Sequence, residues 1–379
     1  MTTTTVSVAR ESTIVAAREE LDSPCMVVDE TILHKNIAEM AAFATSVGVQ
    51  LRPHMKTHKT PLIARLQIAA GAVGATCAKL GEAEVFVEQG GVDDVLLAYP
   101  IVGPPKLRRL ASLMERAHVT VALDSREAGM ALADAMAALD RVLDVYVEVN
   151  TGQDRAGVRA GDEAVDLALD LERLPALRVV GVMTHEGHAG SSAPDAIEAT
   201  ALAAGRALVE TATTIRSHGI ELPHVSVGST PSSRYTPTVP GITEMRPGTY
   251  VFNDNAAFRH GRIGPERCAA RIVATVVSRP APDRAVIDAG SKTLAMDASP
   301  SHPGHGYIVG HSEAVIARIS EEHGVVVLPP DEPGFYVGDR YEIIPNHICP
   351  TVNLTDQLLL ARDGQIIDLW PVAARGKVR

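Results

Sequence analysis

Between residues 45 and 255, short runs of β-branched and aliphatic residues alternate with Ala/Leu-rich stretches, and this alternation constrains the fold more than any other feature. Candidate strands cover residues 49–52, 74–78, 95–99, 119–123, 145–149, 179–183, 224–227 and 250–252, at intervals of roughly 20–45 residues, as βα units recur. The segments between them, such as AGMALADAMAALDRV and AVDLALDLERL, space their apolar residues at helical intervals. Eight such units point to a closed (β/α)₈ barrel. A doubly wound sheet has the same periodicity, because alternation does not show closure.

After Arg262 the texture changes. RIVATVVSRP, RAVIDAG, EAVIARISEEHGVVVL, DRYEIIPNHICPTVNL and QLLLARDGQIIDLWPV read as strands broken by Pro, Gly and Asp turns. The expected organisation is an α/β barrel over residues 20–260 and a second, mostly β domain over residues 261–379, joined by residues 1–19. A charged fraction of 21% and an apolar fraction of 46% suit a globular chain. Net charge −11 disfavours nucleic acid or an anionic membrane as partner. No apolar run approaches the ~20 residues of a membrane span, and the polar, Thr-rich start lacks the apolar core of a signal peptide. Four scattered cysteines without CxxC spacing fit a reducing, cytoplasmic location.

Polar clusters follow the candidate strands, where barrel chemistry collects. His54 and Lys56 follow the first, in an extended stretch that would put them on one face with Arg52; Lys59 is a rival lysine. Arg155 lies in NTGQDRAG after the fifth, and His185 and His188 lie in THEGH after the sixth. The SVGSTPSS turn after the seventh can offer backbone and hydroxyl donors to a phosphate, and Arg246 with Gly248 stands near the eighth. A strand-end lysine alone is more often a solvated cation or an ion-pair partner. Together these residues supply an amine, an anion cradle, an arginine and a ring-stacking side chain, which is what a pyridoxal phosphate site needs.

The motifs RPHMKTHK, GEAE, LLAYPIVGP, VALDS, RPGTYVFND, DAGSK, EEHG and PNHICPTVNL run through nearly the whole chain from Asp22 onward. In order and wording the chain resembles the fold-type III pyridoxal phosphate enzymes, the alanine-racemase-like group. It looks most like the branch holding D-threonine aldolases and D-serine dehydratases. The resemblance implies a barrel that carries the cofactor, a β domain, and a homodimer whose active site lies between the barrel of one subunit and the β domain of the other. It implies Lys56 as the Schiff-base lysine and Arg155 near the cofactor's phenolic oxygen and the substrate. It also implies His185 stacked on the pyridine face, Gly228, Ser229, Thr230, Gly248 and Thr249 around the phosphate, and Arg246 facing the pyridine nitrogen.

In PNHICP, His347 and Cys349 stand two apart, a weak metal signal by itself. The resemblance makes them the two protein ligands of a divalent metal (zinc, manganese or magnesium), and a thiolate favours zinc. The implied reaction is metal-dependent lysis of a D-β-hydroxy-amino acid, first of all retro-aldol cleavage of D-threonine. The alternative is dehydration of D-serine or D-threo-3-hydroxyaspartate; a racemase or a non-catalytic cofactor-binding protein fits less well. His188 and His54 are candidates for the base.

Overall fold

The computed structural model describes residues 14–16, 20–259, 261, 263–298 and 303–379, so most of the 1–19 segment lies outside the described residues. Eighteen strands are used below. They are β1 Cys25–Asp29, β2 Gln50–Leu51, β3 Ala75–Cys77, β4 Asp94–Leu97, β5 His118–Leu123, β6 Leu143–Asn150, β7 Val158–Arg159, β8 Leu177–Thr184 and β9 His224–Val227. The rest are β10 Glu244–Met245, β11 Ala270–Ala281, β12 Arg284–Ile287, β13 Tyr307–Ile308, β14 Val315–Ile319, β15 Gly324–Val327, β16 Arg340–Ile344, β17 Gln357–Arg362 and β18 Gln365–Pro371.

The chain divides into two compact units. One comprises Ile37–Tyr250 with Ala373–Arg379; the other comprises Val251–Val372 and the described residues up to Asn36. Residues 20–36, expected with the barrel, thus fall in the β unit. The cause is strand pairing: β1 runs antiparallel to β11 and parallel to β17. An apolar strand carries no local mark of the sheet it will join.

In the first unit, eight parallel strands follow the order β2-β10-β9-β8-β6-β5-β4-β3, with β7 beside β6. The ring closes between its ends: Met55 N donates to Thr76 O at 2.8 Å, Thr76 N to Pro53 O at 2.8 Å and Val73 N to Leu51 O at 2.9 Å. Leu96, Ala122, Tyr146 and Met183 fill the middle of the interior. The helices bury single faces against the outside. In Asp162–Glu172 these are Ala164, Val165, Leu167, Ala168 and Leu171, a stripe at helical spacing behind an acidic first turn. Burying each leucine contributes about 1.5–3 kcal/mol. Packing here is tight enough that a Cβ on Gly129 would stand 2.2 Å from Leu171 Cδ2.

The eighth barrel strand is not 250–252, which forms a 3₁₀ turn over Thr249–Val251. It is the two-residue β10, held between β2 and β9. Pro247, lacking an N–H, cannot extend that ladder.

In the second unit β11 is central, pairing antiparallel with β1, β12 and β16. The sheet runs β14-β15-β12-β11-β1-β17-β18, with β16 and β13 joined beside β11. Arg271 and Glu342, both fully buried, pair at 2.9 Å between β11 and β16, and Glu342 also accepts from the backbone of Ile14 and Val15. With several partners, each charge is compensated where a lone one would be costly.

Candidate active site

The barrel strands deliver their charged and titratable side chains in two tiers. At the N-terminal ends, Arg52 is buried between Glu244 and Asp94, 2.7 Å from each. His118 lies 3.0 Å from Asp144, which also takes Arg178. A cavity of about 530 Å³ lined by Met114, His118, Asp144 and Arg178 opens at this end. Arg52 therefore does not share a face with Lys56. The stretch is not extended as expected: residues 55–58 form a turn, closed by Lys59 N donating to Met55 O at 3.0 Å.

The C-terminal ends gather the expected site residues of the first unit. His54 N donates to Pro247 O at 3.0 Å, which sets the Lys56 turn against the segment carrying Gly248. There is no room there for a side chain: a Cβ on Gly248 would meet Thr57 Oγ1 at 2.7 Å. Gly248 N donates to Thr230 Oγ1 at 3.1 Å, so the 228–230 and 248–249 loops meet. Arg246 is buried, donating to Ser226 Oγ at 2.5 Å and Thr184 O at 2.6 Å. Its guanidinium lies so close to Gly228 that a Cβ there would approach Nη2 to 2.8 Å. Burial makes the Arg246 charge harder to hold, against the pull of Glu244, Glu186 and Glu148.

Two histidines of this mouth, His185 and His54, are held neutral. Burial, then Lys56, Arg155 and Arg246, pushes His185 down to about 3. Burial, then Lys56, Arg246, His185 and Arg155, holds His54 well below the ordinary imidazole value. His54 Nδ1 is the acceptor for Lys56 N at 3.4 Å, a long contact. The Nδ1 of His188 is buried with no partner among the described residues, as is Oε1 of Gln153. A Cβ on Gly152 would touch His188, and one on Gly187 would touch both His185 and Gln153, so these side chains crowd one spot. Lys59, the rival lysine, is buried with its ammonium 3.1 Å from the equally buried Glu82.

Two residues escaped the sequence reading. Glu186, inside THEGH, is buried and accepts from Gly228 N at 3.1 Å and Ser232 Oγ at 2.7 Å. It thereby shapes the small-residue turn. Gln153 gave no signal beyond its place in GQDRAG. A carboxylate one residue after a strand-end histidine, upstream of a Gly/Ser turn, is the only pattern that hinted at Glu186.

His347 and Cys349 lie in the second unit, and not on an extended strand as expected. His347 is the N-cap of the helix Ile348–Asn353, and Cys349 lies in its first turn. The extended backbone of a cap followed by a helical turn still lets the two side chains hydrogen-bond. His347 Nδ1 is 3.1 Å from Asp297 Oδ1, and Asp254 caps the same helix start through Ile348 N at 3.2 Å. Burial alone would lower the His347 imidazole, but Cys349, Asp254 and Asp297 outweigh it and raise it to about 10. Among the described residues, no group of three or more His, Cys, Asp or Glu side chains is arranged to hold a metal ion. No helix among them is long and apolar enough to cross a membrane.

Residues 28–256 match the alanine racemase N-terminal domain, and residues 269–361 match a serine dehydratase domain. A D-threonine aldolase of Arthrobacter sp. is 34% identical over 94% of this chain and 93% of its own. The chain belongs to the D-threonine aldolase and D-serine dehydratase family. Members of this family are lyases that use pyridoxal phosphate on the alanine racemase fold. The crystal structure of a D-threonine aldolase from Filomicrobium marinum superposes with TM-score 0.88 at 34% identity, covering 95% of this chain and 98% of that one. For a D-threo-3-hydroxyaspartate dehydratase from Delftia sp. HT23 the values are TM-score 0.86, 32% identity, and 93% and 98% coverage. Mutants of such a dehydratase have also been solved, one with a histidine and one with a cysteine two residues further on changed to alanine, the latter in a metal-free form.

Proposed function

We propose that the protein is a pyridoxal phosphate- and divalent metal-dependent aldolase that cleaves D-threonine-like substrates to glycine and an aldehyde. The observation that carries this reading is the likeness to D-threonine aldolase over 94% of the chain, at 34% identity.

The barrel mouth fits the cofactor on its own chemistry. Gly228 packs against the Arg246 guanidinium and Gly248 against Thr57, so the two small-residue loops close on each other, and Gly228, Ser229, Thr230, Gly248 and Thr249 would hold a phosphate. Lys56 would supply the amine that holds the aldehyde carbon; Lys59 is committed to Glu82. His185, neutral and flat, would lie against the ring, and Arg246 would face the pyridine nitrogen without giving up a proton. Arg155, exposed at the rim, would bind the ring's phenolic oxygen and the substrate carboxylate. When bound, pyridoxal phosphate supplies an electron sink for bonds at the substrate's Cα. His188 is the better of the two base candidates, because its Nδ1 has no partner and can take the proton of a β-hydroxyl, whereas His54 Nδ1 already faces Lys56 N.

His347 and Cys349 would hold the metal, their imidazole and thiol being the donors that suit zinc. Asp297, 3.1 Å from His347 Nδ1, would orient the imidazole. A divalent ion there supplies positive charge to an oxygen of the substrate. The working form we propose is a homodimer, with a solution mass twice that of the chain.

One observation favours a second reading, dehydration: the histidine and cysteine changed in the mutant dehydratase structures have the spacing of His347 and Cys349. Incubation with D-threonine separates the two. The aldolase releases glycine and acetaldehyde, stops when EDTA is added, and ignores L-threonine. Ammonia and a keto acid as main products would establish the dehydratase instead.

A further inference from the structure

We propose that Glu148 is a positioning residue, whose carboxylate orients Arg155 toward the group bound in the barrel mouth; this rests on the role given to Arg155 above. Strand register puts Glu148 inside the barrel. Ala122, Tyr146 and Gly181 are register partners on the inner face, and Glu148 pairs with Met183 one step nearer the C-terminal ends. The residue is 5% exposed, and its carboxylate makes no hydrogen bond among the described residues. A buried carboxylate without partners is costly, and such groups persist where function uses them.

The neighbouring charges single out Arg155. The charges that act on the Glu148 carboxyl are those of Arg155 first, then Arg246 and Asp124. Arg246 is already tied to Ser226 and Thr184, and Asp124 accepts from Gly157 N at 3.2 Å. The two other carboxylates of this interior are engaged as well, Glu244 by Arg52 and Ser226, Glu186 by Gly228 and Ser232. The guanidinium of Arg155 makes no ion pair or hydrogen bond among the described residues, so Glu148 and Arg155 are an anion and a cation of this mouth without a fixed partner.

Chain geometry keeps the two together. Asn150 Oδ1 accepts from Gly152 N and Asp154 N, turning the chain at the end of β6. At Gly157, with φ +95°, it has folded back so far that a Cβ would stand 3.0 Å from Glu148 O. Arg155 is thus returned over the strand that bears Glu148. Burial raises the Glu148 carboxyl, and Arg155 then Arg246 oppose that.

The test compares Glu148→Gln, Arg155→Gln and the double variant, each loaded with pyridoxal phosphate. The measurements are kcat and KM for D-threonine, affinity for pyridoxal phosphate by titration, and the absorbance of the bound cofactor against pH. Glu148→Gln is expected to lower kcat/KM on the order of tenfold and to shift the absorbance profile, as loss of an orienting partner does. In the Arg155→Gln background it should change neither, because the two act as one unit. An equal effect in both backgrounds, or a Glu148→Gln protein indistinguishable from the parent, overturns the proposal. Should Arg155→Gln alone leave kinetics and spectrum untouched, the role of Arg155 fails and takes the proposal with it. If Glu148→Gln does not accumulate, Glu148→Asp serves: a shifted absorbance profile at unchanged melting temperature supports the proposal, and an unshifted one overturns it.

Discussion

Two histidines of the barrel mouth and the histidine at the helix start near Cys349 are driven in opposite directions. At the barrel mouth His185 is pushed down to about 3 and His54 well below its usual range, by burial and by Lys56, Arg155 and Arg246. In the second unit burial acts on His347 in the same sense, yet Cys349, Asp254 and Asp297 carry it up to about 10. The same side chain thus reports two opposite surroundings. The barrel mouth is cationic and suits anions, a phosphate and a carboxylate. The helix start around His347 is anionic and suits a cation. The metal-dependent reading proposed above has a use for each.

The sharpest way to break this contrast is to remove the amine from the cationic side. Lys56→Ala should lower activity about a thousandfold or more, as loss of a nucleophile does. Borohydride reduction should then leave no cofactor fixed to the chain; a labelled Lys59 peptide would overturn the assignment. Next comes the anionic side. His347→Ala or Cys349→Ala should weaken zinc binding by about 100-fold or more, a larger loss than removal of an outer-shell partner causes. Metal analysis after dialysis checks it, and undiminished zinc would mean that the ion binds elsewhere.

A smaller effect is expected where the cradle is tight. Gly248→Ala sets a Cβ 2.7 Å from Thr57 Oγ1 and 3.2 Å from His54 O, so overpacking should cost about 1–3 kcal/mol of stability and weaken pyridoxal phosphate binding. Denaturant melts and cofactor titration read the two; an unaltered affinity would remove Gly248 from the phosphate site. The most gradual effect concerns pH. Burial lowers His58 to about 4, against an unfolded value near 6.5, so the unfolded chain binds protons first. Stability should be intact above pH 6.5 and fall as pH drops toward 4, by up to about 1.4 kcal/mol per unit. His58→Gln should flatten that slope in urea melts between pH 7 and 5, and an unchanged slope would assign it to other groups.

Much of this was legible in the chain, for local reasons. Strands β4, β5, β6, β8 and β9 announced themselves as aliphatic runs, and their ends pointed to Arg155, His185 and Gly228. What stayed hidden depends on pairing between distant residues. β10 is two residues long and one is a buried glutamate, tolerable only because Arg52 and Ser226 meet it. A periodicity scan passes over such a strand and settles on the more apolar Tyr250 to Phe252. The helix cap at His347 was likewise invisible, since RYEIIPNHIC reads as one strand until Pro345 interrupts it. Glu148 did leave a trace, as the sole charge in VYVEV, a run otherwise fit for burial on both faces.

Inside the barrel, hydrogen bonds and ion pairs run from Asp94 to Arg52, Glu244, Ser226, Arg246 and the carbonyl of Thr184 without interruption. No link can be swapped alone, because each change strands a charge on the next. For anyone diversifying this enzyme, the spine behaves as a single heritable character, to be exchanged whole or kept.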